Sequence, residues 1–190
     1  MLKILLGGSM KKIFKTLLLV FMLTACSMSN TPKSKVEIYL NQFNSLSENV
    51  KKDLETTVTS ENLSDSNKDI YKKVLERQYE NIKYKIKEEE INGDNATVTV
   101  QITVYDFYKT NKNAEKYYDE HTDEFMTSNG TTIDIEKYTK YRLDEMLKMN
   151  DTVDYDIKFY LNKDDGEWVI QNPDRTTLEK IHGLYDYENE

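Results

Sequence analysis

Cysteine is almost absent from this chain: Cys26 is the only one in 190 residues. A disulfide within the chain and a cysteine zinc cluster are therefore excluded. Histidine is nearly as scarce, with His121 and His182 alone, and a zinc site wants more His or Cys than that. Basic residues are in deficit, 26 Lys and Arg against 34 Asp and Glu, for a net charge of −8. Such a chain is a poor partner for nucleic acid, whose phosphates reward Lys and Arg. Phosphate-loop, dinucleotide, serine-elbow and HExxH zinc motifs are all missing. No cofactor is expected. Nor does any apolar run approach the roughly 20 residues that a helix needs to cross a bilayer.

What is present begins with the first thirty residues. Lys11, Lys12 and Lys15 form a positive start, Thr16 to Met22 (TLLLVFM) a short apolar core, and Leu23-Thr24-Ala25-Cys26 follows. Positive residues, a short greasy core and small residues before a cut are the marks of a secretory signal. LTAC resembles the bacterial lipobox. The resemblance implies cleavage between Ala25 and Cys26, diacylglycerol on the Cys26 sulfur and a lipid-anchored protein on the extracytoplasmic face of a cell membrane. Several acyl chains, at about 0.8 kcal/mol per buried methylene, make a stable anchor. Met10 opens a standard leader, MKKIFK, and is an alternative start. Removing residues 1–25 takes away four lysines and no acid, leaving 22 basic against 34 acidic residues, −12. That charge repels anionic lipid heads, so the lipid and not a protein face must hold the membrane. About 165 residues remain, one domain by length.

Residues 26–35 are small and polar and read as a tether. Thr31-Pro32 also looks like a helix start. Val36, Leu40, Phe43, Leu46, Val50 and Leu54 recur at steps of three and four, predicting one long helix. Thr56 to Asn67 reads as a loop. Ile70, Tyr71, Val74, Leu75, Tyr79 and Ile82 predict a second helix, capped near Ser66 or Asn67. The period then falls to two. Ile82, Tyr84 and Ile86 alternate with lysines, Asn92-Gly93-Asp94-Asn95 is a turn, and Ala96, Val98, Val100, Ile102 and Val104 alternate with polar residues. That is an antiparallel hairpin. Asn111 to Asn150 returns to helix, broken at Ser128-Asn129-Gly130. Val153, Tyr155, Ile157, Phe159 and Leu161 predict a third strand, Trp168 to Ile170 a fourth, and Thr176 to His182 a last helix stopped by Gly183. The domain is placed at residues 36–185, with 186–190 an acidic, frayed tail. The fold class is α+β, helices on one face of a curved antiparallel four-stranded sheet, with a helical insertion between two hairpins.

The hairpin NGDNATVTV, the closing DDGEWVIQ and the long first helix behind the lipobox resemble small lipoproteins with an NTF2-like (cystatin-like) domain. The resemblance covers most of residues 36–172. It implies a cone-shaped sheet with a pocket between its concave face and the helices. The fold hosts enzymes, ligand binders and dimerisation modules alike.

Few residues invite chemistry. Enzymes of this fold use Asp, Tyr or His inside the cone, and isomerase or dehydratase chemistry needs a carboxylate with a raised pKa. Asp106, at a strand end beside Tyr105 and Tyr108, is the one candidate base; its plainer reading is a solvated aspartate. His121 sits among Asp119, Glu120, Asp123 and Glu124, which reads as a charged helix rather than a metal site, and His182 is expected to meet free carbonyls at a helix end. Asn162 to Glu167 lacks the acid five residues before Gly166 that a calcium loop requires, because Leu161 stands there. Tyr84, Tyr105, Tyr155 and Tyr160 are the candidate ligand-lining residues, each with an apolar ring and a polar tip; Trp168 is expected in the core. The expected function is a non-enzymatic, membrane-anchored binding or interaction domain that takes a small ligand, a peptide or another envelope protein. An isomerase or dehydratase with Asp106 as base, and a module that pairs into a homodimer, are the alternatives.

Overall fold

The computed structural model describes residues 30–189. The leader, Met10, Ala25 and the first four residues of the expected tether, 26–29 with Cys26, lie outside them. Helix α1, Pro32–Asn44, starts as expected: the Thr31 hydroxyl accepts from the Ser34 N–H and the Ser34 hydroxyl answers the Thr31 N–H, with Pro32 in the first turn. This cap draws Asn30 to Lys35 into the domain, so its folded part begins before residue 36. Val36 and Leu40 are fully buried.

The single long helix is in fact two. Leu46 takes a left-handed φ of +44°, and Ser47 caps a new helix, α2, Glu48–Ser60. The break is held by Asn44, whose side-chain amide donates to the Tyr79 and Ile82 carbonyls. Because Val50, Leu54 and Val58 face the same core as Val36 and Leu40, the apolar spacing passes through the break unchanged. Helix α2 also absorbs half of the expected loop. Thr56 and Thr57 turn their hydroxyls back to the Lys52 and Asp53 carbonyls, which satisfies them inside a helix.

Helix α3, Asp65–Glu80, begins after Ser64, not at Ser66 or Asn67. It has two working faces. Leu75 and Tyr79 join the main core, while Val74 packs with Phe107, Leu143 and Met146 in a second one.

Strands β1 (Lys83–Asn92), β2 (Asn95–Tyr105), β3 (Thr152–Asp164) and β4 (Glu167–Ile170) form one antiparallel sheet in that order. Strand β2 alternates as expected, with Ala96, Val98, Val100, Ile102 and Val104 buried. They pair with Leu161, Phe159, Ile157, Tyr155 and Val153 of β3. A bulge between Ile86 and Glu88 shifts β1 out of its alternation, and its second half is exposed.

Between the hairpins lie α4 (Phe107–Glu120), a 3-10 turn (Thr122–Phe125) and α5 (Ile135–Lys148). The insertion therefore breaks first at His121, earlier than Ser128. It carries its own aromatic cluster, in which Phe125 meets Tyr117, Tyr118, Tyr138 and Tyr141 at 5.4–6.2 Å. Helix α6, Arg175–His182, ends on Gly183 at φ +70°.

Helices α1 and α6 lie on the core face of the sheet. Val98, Val100 and Ile102 there are fully buried, together with Val36, Leu40 and Ile181. The space beneath the sheet, where the resemblance implies a pocket, is filled with side chains. The described part of the expected frayed tail, residues 186–189, is held to the domain. Tyr185 and Tyr187 pack on the core, and Tyr187 donates its hydroxyl to Asp106 Oδ2 at 3.0 Å.

Candidate functional site

One pocket of this domain opens among the helices. Five segments meet there. Helix α3 presents Tyr71 and Val74, one turn apart. Helix α4 presents Phe107 and Asn111, also one turn apart. Helix α5 presents Thr139, Arg142, Leu143 and Met146, the i, i+3, i+4 and i+7 positions of one face. Glu61, Leu63 and Leu184 close the sides. The cavity measures about 230 Å³, below the roughly 300–1,000 Å³ of pockets that take drug-sized molecules. Its walls are mostly apolar, as the second core requires.

Two of its lining residues each carry a buried polar atom without a hydrogen-bond partner, Arg142 at Nε and Asn111 at Oδ1. The other arginines of the described residues are engaged. Arg77 donates to the Met146 and Met149 carbonyls and lies 3.8 Å above the Tyr105 ring, closing the end of α5. Arg175 pairs with Glu179 at 2.7 Å. Arg142 makes no such pair. Its charge is still felt in the pocket: burial first, and Glu61 second, push the Tyr71 phenol above its usual pKa, while Arg142 pulls it down. The pocket thus holds one cation, one anion at its edge, a buried acceptor and the Thr139 hydroxyl.

The residues singled out in the sequence lie elsewhere. Asp106 is not a solvated strand end. It is buried, caps α4 by accepting from the Lys109 N–H at 2.9 Å, and takes the Tyr187 hydroxyl on its other oxygen. Burial, then this bond, push the Tyr187 phenol up to about 12. Asp106 does not line the helical pocket.

The four tyrosines divide between the two faces of the sheet, so they cannot line one pocket. Register places Tyr84 and Tyr155 opposite Ile102 on the core side, and Tyr105 and Tyr160 on the other. Tyr84 donates to Asn41 Oδ1 at 2.9 Å. Tyr155 meets Tyr185 edge-on at 5.8 Å. Tyr105 stacks on Phe107, and Tyr160 is half exposed. Trp168 is buried, as expected.

His121 stacks on Tyr117 at 4.1 Å, and among the described residues no cluster of acids and histidines could hold a metal. His182 bonds not to a carbonyl but to the Tyr79 hydroxyl, at 2.9 Å. Burial lowers its pKa, against an opposing pull from Glu179.

Sequence reasoning missed Asn111 and Arg142. Arg142 stood at the edge of a helical stripe that also held Tyr138, Tyr141 and Met146. An arginine on the apolar side of such a stripe was the one signal that could have found it.

No protein-family model matches the chain, and no curated protein matches it. Among solved structures, the chain is similar to the crystal structure of ycdA from Bacillus subtilis, a candidate lipoprotein. Identity is 15% and the TM-score is 0.44, over 73% of this chain and 47% of the other. The chain thus spans about half the length of that protein. A likeness this distant bears on neither family nor activity.

Proposed function

We propose that this chain is an extracytoplasmic lipoprotein, anchored through Cys26, whose folded part is a non-enzymatic binding domain that takes a small ligand in the helical pocket. The binding reading rests on one observation: Arg142 and Asn111, which line one largely apolar cavity, carry a buried guanidinium N–H and a buried amide oxygen with no hydrogen-bond partner. Leaving such groups unpaired costs about 1–3 kcal/mol each, more for a charged one, and a ligand that satisfies both recovers that cost. The anchor rests on the Leu23-Thr24-Ala25-Cys26 segment and its flanks. The non-enzymatic part rests on Asp106, whose two oxygens are spent on a helix cap and a tyrosine.

The anchor is tested by feeding cells an alkyne-bearing palmitate. The wild-type chain takes up label, and Cys26→Ser does not; equal labelling refutes the anchor. Binding is tested on the full lipoprotein, extracted in mild detergent and incubated with a metabolite extract, by native mass spectrometry. A retained small molecule, displaced in Asn111→Leu, supports the reading. No retained mass, or one indifferent to Asn111, refutes it.

A further inference from the structure

We infer that the ligand of the helical pocket is a free α-amino acid with an apolar side chain, its carboxylate on Arg142 and its ammonium toward Asn111 and Glu61. This rests on the pocket being a binding site and assigns its chemistry.

The polar inventory has a direction. Arg142 offers only donors and carries a positive charge that no acid of the described residues neutralises by contact, so its complement is an anion. A guanidinium prefers a planar, two-oxygen partner, which a carboxylate supplies. Asn111 Oδ1 and Glu61 offer acceptors, so their complement is a donor, and a cationic one is favoured beside the acid. One carboxylate and one ammonium on a single small molecule meet both demands. The remaining wall, Val74, Phe107, Leu143 and Met146, is apolar and asks for a hydrocarbon or thioether side chain. Volume agrees: about 230 Å³ admits a small molecule and is too tight for a peptide of several residues.

Competing places in the fold are less able to carry a ligand. The groove between α4 and the end of α5 is lined by Tyr117 and Tyr141. Tyr117 is covered by His121 on one side and Tyr141 at 5.0 Å on the other, so its ring has no free face for a planar ligand. The outer face of the sheet is polar and open, and nothing in the structure shows what covers it.

Isothermal titration of the full lipoprotein in detergent tests the assignment with three probes of one shape: L-leucine, leucinamide, which lacks the carboxylate, and 4-methylpentanoate, which lacks the ammonium. L-Leucine should bind, and each truncated probe should bind roughly ten- to a hundredfold more weakly, the span expected for a lost charge-assisted contact. Arg142→Met should weaken L-leucine by a similar factor, with leucinamide no longer inferior to it. An unchanged urea midpoint for Arg142→Met shows that the loss is local. Should that variant unfold, the three-probe ranking on the wild type still decides. Leucinamide or 4-methylpentanoate binding as well as leucine overturns the amino-acid assignment while leaving the pocket a binding site. No binding of leucine, methionine or phenylalanine also overturns it; a molecule retained in the mass-spectrometric screen then keeps the broader reading alive, and an empty screen removes both.

Discussion

Replacing Gly183 by alanine should damage this protein far more than its place after a short helix suggests. Gly183 adopts φ +70°, where a side chain costs about 1 kcal/mol or a little more. Space is the larger problem. A Cβ at this position would collide with the Tyr105 carbonyl oxygen and with Nε2 of Gln78. Gln78 is fully buried and clamps the end of β2, donating to that same carbonyl at 3.2 Å and accepting from the Tyr105 N–H at 2.9 Å. Gly183 in turn offers its carbonyl to the Tyr108 N–H at 2.8 Å. The methyl must push apart two backbones and an amide that have no slack. Overpacking costs about 1–3 kcal/mol, and unpairing a buried amide about 1–3 kcal/mol more. With the backbone term the total is roughly 3–7 kcal/mol. Gly130 is the control. Its φ is +68°, almost the same, but a Cβ there meets nothing within 4 Å, so Gly130→Ala should cost only the backbone term, about 1 kcal/mol. Urea unfolding followed by far-UV circular dichroism measures both. At an m-value of about 1–3 kcal/mol/M, the Gly183→Ala midpoint should fall at least about 0.7 M below that of Gly130→Ala. Equal losses would refute the reasoning, because conformation alone would then account for both.

Other expectations follow from the same geometry. Burial holds His182 below its usual pKa of 6.5, so below 6.5 the unfolded chain binds a proton that the folded chain refuses. The stability from neutral His182 is complete above that pH and is lost as the pH falls toward the folded value, by at most about 1.4 kcal/mol per unit. The urea midpoint should drop between pH 7.5 and 5.5, and His182→Gln should flatten the drop; a slope unchanged in the variant contradicts the assignment. Asp106→Ala should cost about 1–2 kcal/mol through the lost α4 cap and the stranded Tyr187 hydroxyl, whereas Asp106→Asn should cost less, since its side-chain oxygen can still accept from Lys109. Equal losses in the two variants would show that Asp106 acts through its charge. Asn44→Ala should destabilise by about 1–3 kcal/mol by freeing two carbonyls, and a neutral result would mean that the α1–α2 break is held by packing alone.

The sheet was the most readable part of the chain. Ala96 to Val104 alternate because one face of β2 is buried and the other is not, and a period of two marks a half-buried strand. The α1–α2 break was hidden for the converse reason. Both helices serve one core, so Phe43, Leu46 and Val50 keep helical spacing across a left-handed residue, and Ser45-Leu46-Ser47 carries no glycine or proline to mark the place. The Thr-rich end of α2 misled because hydroxyls that usually compete with a helix here bond within it. The pocket was illegible for a deeper reason. Its residues run from Glu61 to Leu184 and are joined only by the packing of α3, α4 and α5 around Val74 and Phe107, a second core that no single segment announces. Asp106 was found for its position, but its role depends on Tyr187, eighty-one residues away.

Asn30 has a geometric consequence for the proposed anchor at Cys26. Its amide donates to the Gly166 carbonyl at 3.0 Å and its oxygen accepts from the Trp168 N–H at 3.2 Å, which pins the start of the domain to the β3–β4 turn. The β1–β2 turn lies beside it, with the Lys163 N–H donating to the Asp94 carbonyl at 2.8 Å. Four residues separate Asn30 from Cys26, a reach of at most about 14 Å. Lipid on Cys26 would therefore bring both turns, with Asp94, Asp164, Asp165 and Glu167, within that reach of the headgroups. The opposite end of the sheet, where β2 runs into α4 and α5 runs into β3, lies about 35 Å away along the strand, the length of the 11-residue β2. Acid repels anionic lipid over only about 8 Å at physiological salt, enough to keep the turns from settling into the surface but too short to reach the far end. The two ends of the sheet thus differ in their distance from the proposed anchor, and the helical pocket, whose Phe107 follows β2 directly, belongs to the far one.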